Sequence, residues 1–215
     1  MEENVLYAPT TFNQPAAALA PVGIATSAPL PEGEARTAIS VRSTRLNVLD
    51  GGSATVTGTL RPGLSGRVVT LQALSNHGWR SVARARTRAG GRFELHLSTH
   101  RTGSERVRVR FAGDASDLAS HRRLGWLNTY RLAGASWYGG GGSMACGGTL
   151  TSATLGVANK TLPCGTLVTL RYGGRSVRVP VVDRGPYVAG REFDLTEATK
   201  QALGFGDTGD VWSTR

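Results

Sequence analysis

The chain has 215 residues, 40% of them hydrophobic, which suits one large domain or two small ones. No apolar run reaches the ~20 residues that a membrane-spanning helix requires, so no transmembrane segment is expected. The net charge of +10 is concentrated: residues 36–133 carry 17 arginines against five acids, while residues 1–35 carry four glutamates and no base. That excess fits an anionic neighbour such as a wall polymer, a membrane surface or a nucleic acid. It also fits a merely solubilising surface, since only two of the 25 bases are lysine.

Residues 1–35 are rich in proline, alanine and threonine and lack periodicity, so they are expected to be disordered. Within them Ala16 to Ala25 resembles a weak export signal. The acidic Met1-Glu2-Glu3 start and the breaks at Pro21 and Gly23 argue against it. Either this segment is a linker or the true start lies upstream.

Residues 36–113 read as an antiparallel β domain. Strands are expected over Ala54–Leu60, Arg67–Leu74 and Trp79–Thr87, then around Phe93, Leu95 and Leu97, and over Arg106–Phe111. Turn signals at Pro62-Gly63, Asn76-His77-Gly78 and Gly90-Gly91 separate them, and 29 glycines in the chain reinforce an all-β reading. In the last strand Val107, Val109 and Phe111 share one face and the arginines the other. The residues Gly58-x-Leu60-Arg61-Pro62, Val69-x-Leu71-Gln72, Trp79-Arg80-x-Val82-Ala83 and Gly91-x-Phe93 resemble bacterial immunoglobulin-like modules. A β-sandwich is therefore expected here. Residues 114–133 read as a linker whose Trp126–Leu132 stretch is expected to be the entry strand of the next domain.

Residues 134–215 read as a second β domain. Strands over Leu167–Tyr172 and Ser176–Val182 flank a Gly173-Gly174 hairpin turn. One helix is expected over Thr196–Leu203, capped by Thr196 and ended by Gly204. Cys146 and Cys164 lack a CxxC or Cys/His ligand pattern, so neither a metal nor another cofactor is expected. A disulfide in an exported protein fits them better than two buried thiols, since each is followed by glycine.

All four histidines lie outside this domain. Its acid/base candidates are carboxylates: Asp183, Glu192, Asp194, Glu197, Asp207 and Asp210. Carboxylates suit glycosidic-bond chemistry, in which a protonated acid donates to the leaving oxygen. Asp183 ends a valine-rich strand. It is either such an acid or a turn residue accepting backbone N–H bonds. Asp194 is either a second working carboxylate or part of the helix N-terminus. Trp137 and Tyr138 either stack on sugar rings or belong to the core.

Five motifs occur in order: Ala135-Ser136-Trp137-Tyr138-Gly139, Ala145-Cys146-Gly147, Lys160-Thr161-Leu162-Pro163-Cys164-Gly165-Thr166, Val181-Val182-Asp183-Arg184-Gly185-Pro186-Tyr187, and Gly190-Arg191-x-Phe193-Asp194-Leu195-Thr196. As a set they resemble the double-psi β-barrel domain of the rare lipoprotein A family, over roughly residues 133–214. The wider superfamily includes expansins and family-45 glycoside hydrolases. The resemblance implies a six-stranded barrel with an open polysaccharide groove. It also implies an extracytoplasmic, secreted or wall-associated protein, and lytic transglycosylase action on peptidoglycan glycan strands stripped of stem peptides. Asp183 falls on the family's proposed acid/base, and Asp194 on an aspartate that lines the groove in expansin-like relatives. Trp137, Tyr138, Asn159, Arg184 and Tyr187 are the substrate-binding candidates.

Two positions depart from the lytic pattern. Asn159 stands where histidine is usual, and Gly148 where glutamate is frequent. Asparagine cannot take a proton near neutral pH. The alternative is therefore an expansin-like module that binds glycan without cleaving it. The arginine-rich sandwich would contact anionic wall polymers. Nucleic acid is not an expected partner, because the arginines lack an aromatic stacking platform and no recognised binding motif is present.

Overall fold

The computed structural model describes residues 35–215. The disorder expected for the N-terminal segment lies outside the described residues, apart from Ala35, which bridges Asp117. The chain runs through β1 (Ala38–Arg45), β2 (Asn47–Leu49), β3 (Ser53–Arg61), β4 (Val68–Ser75), β5 (Gly78–Arg86), β6 (Arg92–Ser98) and β7 (Gly103–Phe111). The long β8 (Ser120–Tyr138) leads into β9 (Val157–Ala158), β10 (Leu167–Tyr172), β11 (Arg175–Asp183), β12 (Phe193–Thr196), α1 (Glu197–Leu203) and β13 (Gly209–Ser213).

In the first half, β1, β3 and β6 form one antiparallel sheet, and β5, β4, β7 and the start of β8 form another. Alternation explains the core between them. Ala54, Val56 and Leu60 of β3 and Phe93 and Leu95 of β6 meet Val69 and Leu71 of β4 and Val107, Val109 and Phe111 of β7. Gly58 interrupts the apolar run of β3 for a packing reason: a Cβ there would stand 2.7 Å from the Phe93 ring. The strands expected from the pattern are all present. β1 and β2 were not foreseen, because β1 lies mostly exposed and β2 has only three residues.

In the second half, β12, β9, β11, β10, β13 and the end of β8 pair in that order, and β12 also pairs with β8. The six strands therefore close on themselves. Their shared core holds Ala133, Ala135, Val157, Val168, Leu170, Val179, Val181, Leu195 and Val211. The Gly173-Gly174 turn forms as expected, with φ of 52° and 86°, and it pairs Tyr172 with Arg175. Gly204 ends α1 in a left-handed conformation, and its N–H bonds back to Gln201 O. The expected side-chain cap does not form. Thr196 instead points its hydroxyl at Gly156, donating to the carbonyl at 3.1 Å and accepting from the amide at 3.2 Å.

The strand expected over Trp126–Leu132 is present, but the stretch 114–133 around it is not a linker. From Ser120 it belongs to β8, one strand of 19 residues. The first part of β8 pairs with β7, and the last part with β12 and β13. The preceding loop is anchored as well, since buried Arg67 forms ion pairs with Asp117 and, at 3.2 Å, with Asp114. The two halves are thus joined by continuous sheet rather than by a tether. Tyr130 marks the junction: it is fully buried, its hydroxyl donates to Asn47 Oδ1 at 2.8 Å, and its ring packs 5.7 Å from that of Trp212.

Candidate active site

The closed ring brings three polar side chains into line. Asp194 of β12 is in register with Ser136 of β8 on one side and with Ala158 of β9 on the other. Ala158 is in turn in register with Asp183 of β11. Directly opposed residues share a face of a sheet. Ser136, Asp194 and Asp183 therefore form a row, with the two aspartates two strand spacings apart, or about 10 Å between Cα atoms.

Asp183 reaches this row through an irregularity. Along β11, Val179 and Val181 are buried in the core, and simple alternation would send Asp183 the same way. However, Val181 opposes Val157 and Asp183 opposes the very next residue, Ala158, so Val182 is an extra residue in β11. Such a bulge re-aims the side chain that follows it. It carries Asp183 from the core side to the side of Asp194.

The bulge is held from both flanks. Cys146 N donates to Val182 O at 3.2 Å, Gly165 N to Val181 O at 2.8 Å, and Asn159 N to Asp183 O at 3.1 Å. The Cys146–Cys164 disulfide forms and ties the two contributing loops together. The Asp183 carboxylate is divided in its use. Oδ1 accepts from the backbone N–H groups of Ala145 and Arg184, both at 2.8 Å. Oδ1 thus serves the turn, whereas Oδ2 takes no part in it, and the carboxylate lies within reach of the Tyr138 hydroxyl.

Asp194 accepts a short hydrogen bond from the Ser136 hydroxyl at Oδ1. Ser136 sits in the ASWYG motif, but nothing in the sequence pointed to it as a partner of Asp194. Two residues on, Tyr138 lies on the same side of β8. Its hydroxyl is buried without a hydrogen-bond partner among the described residues. Burial, followed by the charge of Asp183, the proximity of its carboxylate to the hydroxyl and the charge of Asp194, pushes its pKa well above the usual tyrosine value. The group therefore stays a neutral donor facing both carboxylates.

The remaining candidates are placed differently. Trp137 falls on the opposite side of β8 from Ser136. Its indole N–H donates to Asp207 at 2.9 Å, and Lys200 Nζ lies 3.7 Å from its ring centroid. Asn159 is buried, accepts from the amides of Thr161 and Leu162 at 3.0 and 2.8 Å, and donates to Glu192 O at 3.0 Å. Arg184 turns its guanidinium away from Asp183, toward Asn159 O, Leu162 O and Cys164 Sγ. Asn159 and Arg184 thus shape the loop that clamps the bulge. Tyr187 is 80% exposed, open to a ligand.

The other carboxylates of this half are otherwise engaged. Glu192 forms a two-pronged pair with Arg131 at 2.8 and 2.5 Å, and that hydrogen bonding lowers its pKa. Asp207 is held below the usual carboxylate range by hydrogen bonds from Lys200 and Trp137. Glu197 accepts from Gln201 along α1, and Asp210 lies on β13, outside the row. Asp183 and Asp194 are left as the pair that shares a face.

Residues 132–211, which span the closed ring, match the family model described as lytic transglycolase. Over 75 residues the chain is 45% identical to the "Probable endolytic peptidoglycan transglycosylase RlpA" of Aquifex aeolicus, covering 33% of each chain. Over 86 residues it is 41% identical to the "Endolytic peptidoglycan transglycosylase RlpA" of Pseudomonas aeruginosa, covering 37% of this chain and 25% of that one. The chain thus spans a third or less of the length of these relatives. Among solved structures, a Streptomyces papain inhibitor aligns with 39% of this chain and 91% of its own at 25% identity, with a TM-score of 0.33. The region 132–211 belongs to the rare lipoprotein A-like family of double-psi β-barrels.

Proposed function

We propose that the protein is an extracytoplasmic lytic transglycosylase that cleaves peptidoglycan glycan strands with Asp183 as acid/base. The observation that carries this reading is the bulge at Val182. It puts a carboxylate, one oxygen of which the turn leaves free, on the same face as Asp194, while Glu192 and Asp207 are neutralised by bases. In the forward step protonated Asp183 donates to the glycosidic oxygen as the C1–O bond breaks. The resulting carboxylate then takes the proton of the muramic acid 6-hydroxyl as that oxygen bonds to C1. One group serves both transfers, no water is consumed, and the product carries a 1,6-anhydro end. Asp194, oriented by Ser136, stabilises the positive charge that develops at C1. The arginine-rich sandwich, in the same reading, holds the protein to anionic wall polymers.

A second reading, glycan binding without cleavage, is favoured by one observation. Asn159 spends its side chain on the 159–162 loop and Glu192, so no titratable group replaces the usual histidine there. Incubation with stem-peptide-free glycan strands separates the two. Mass spectrometry is expected to find 1,6-anhydro-muramic ends with the wild type and none with Asp183→Asn. A wild type that co-sediments with glycan yet yields no such ends overturns the enzyme reading in favour of the binding one.

A further inference from the structure

The outer face of the sheet formed by β5, β4, β7 and β8 carries a pattern that glycan cleavage does not use. Arg106, Arg108 and Arg110 alternate along β7 with buried Val107, Val109 and Phe111, and so all point outward. Register places Arg123 opposite Arg108 and Trp126 opposite Arg106. Across β4, Thr70 is in register with Arg110 on one side and Arg84 on the other. At the far end the Trp126 ring is shared by Arg106, 5.2 Å away, and by Arg178 of the barrel, 4.1 Å away. Arg84, Arg106, Arg108, Arg110, Arg123 and Arg178 thus make one strip that continues from the first sheet onto the barrel.

Among the described residues none of these six arginines forms an ion pair. The carboxylates of the first half are used elsewhere: Asp114 and Asp117 on Arg67, Glu105 on Arg80, Glu94 on His96, and Asp50 on the amide of Gly51 in the turn after β2. The crowding is felt within the strip, where partial burial and then Arg110 and Arg123 lower the pKa of Arg108. Uncompensated like charges destabilise each other, and a bound anion would relieve them.

We propose that this strip binds a linear phosphate-bearing polymer of the cell wall, laid along β7. This rests on the reading of the chain as a wall protein. Outward side chains on β7 recur every ~7 Å and neighbouring strands lie ~4.8 Å apart, so a chain of regularly spaced charges meets several guanidinium groups at once. The strip contains no lysine, and the guanidinium fork matches phosphate oxygens bidentately. Nucleic acid fits less well. Single strands need open aromatic faces for their bases. Each of the two aromatic rings of the strip already carries arginine instead, Trp79 under Arg108 at 4.2 Å and Trp126, which keeps 38% of its surface exposed, beside Arg106 and Arg178.

The test uses the whole chain and fluorescently labelled inorganic polyphosphate, read by anisotropy across a salt series. The triple variant Arg106→Gln, Arg110→Gln, Arg123→Gln is expected to weaken binding at least tenfold and to flatten the salt slope by about three, one per lost phosphate contact. The triple Arg42→Gln, Arg45→Gln, Arg92→Gln removes the same charge from the other sheet and is expected to change affinity less than threefold. Circular dichroism checks folding. Should the first triple not fold, single Arg110→Gln and Arg123→Gln variants are each expected to weaken binding two- to threefold. Equal losses in the two triples, or in Arg110→Gln and a single Arg42→Gln control, would show a net-charge effect and overturn the site. Equal or tighter binding of single-stranded DNA or polyglutamate, per charge, would overturn the choice of phosphate polymer. Both triples are expected to keep glycan cleavage intact. Cleavage without polyphosphate binding therefore sinks only this inference, and polyphosphate binding without cleavage sinks only the enzyme reading.

Discussion

The two halves of the molecule are built from the same alternating strands, yet they use alternation in opposite ways. On β7 the pattern runs unbroken against β4, and its outcome is a uniform row of arginines over a uniform apolar core. On β11 the pattern fails at one residue, and its outcome is a single carboxylate moved onto the face of Asp194. Regularity yields a surface of one repeated chemistry, whereas irregularity yields a unique side chain in a unique place. The charges follow suit. The first half leaves the outward arginines of β7 without ion pairs among the described residues, while the second half neutralises Glu192 and Asp207 and keeps Asp183 and Asp194 together.

The largest expected effect falls on the irregular element. Asp183→Asn should lower the rate of anhydro-end formation by at least ~100-fold, the usual scale for loss of an acid/base group, with polyphosphate binding unchanged. A variant that retains cleavage would mean the bulge positions something other than the acid.

The next effect tests how the bulge is held. Replacing Cys146 and Cys164 by serine opens a loop of 18-residue separation, which should cost about 3 kcal/mol by loop entropy. Hydrogen exchange should speed up at Val181 and Asp183 before it does at Val107 and Val109. Uniform acceleration along the whole chain would mean that β8 couples the halves too tightly for the disulfide to act locally.

A smaller effect concerns the Glu192–Arg131 pair, both partners of which are more than a third exposed. Hydrogen bonding to Arg131 lowers the folded-state pKa of Glu192. Its stabilising contribution is therefore present above the unfolded pKa of ~4.3 and is lost as pH falls through the lower folded value. Glu192→Gln should cost under ~1 kcal/mol at neutral pH, and the difference from wild type should vanish in strong acid. Urea titrations at several pH values would measure it, and a gap that persists in acid would place the cost in packing rather than charge.

The smallest stability effect is expected at Tyr138. Its hydroxyl is buried with no well-formed hydrogen bond, although it faces the Asp183 carboxylate, so Tyr138→Phe should change stability by less than ~1 kcal/mol. A loss of more than ~1 kcal/mol would reveal a partner that binds this hydroxyl in solution.

Much of this was legible in the chain itself. Apolar and polar alternation located β3 to β7, β10 and β11, because a strand with one buried face must repeat every second residue. Glycine pairs located the tight turns, and the residue inventory reduced the barrel's chemistry to carboxylates. Asp183 was singled out by motif, though alternation by itself would have buried it. Where pairing rather than pattern decides, the chain was silent. Polar β1, the two-residue β9 and the four-residue β12 are too short or too exposed to leave a period. In the stretch 114–133 only Trp126–Leu132 read as a strand, because the arginines and glycine before it hide the start of β8, whose partners lie on both sides. Asn159 and Arg184 belong to ligand-binding chemistry by motif, but their side chains are spent on the 159–164 loop and on Glu192 O.

Composition, alternation and motif order thus determined the class of fold, the row of outward arginines and the identity of the carboxylates, since each is a property of neighbours in sequence. The tertiary structure decided which carboxylates share a face, which are cancelled by Arg131 or Lys200, and that one strand serves both halves. Those outcomes depend on register between strands far apart in the chain, and a single extra residue at Val182 changes that register without leaving a mark on the local pattern.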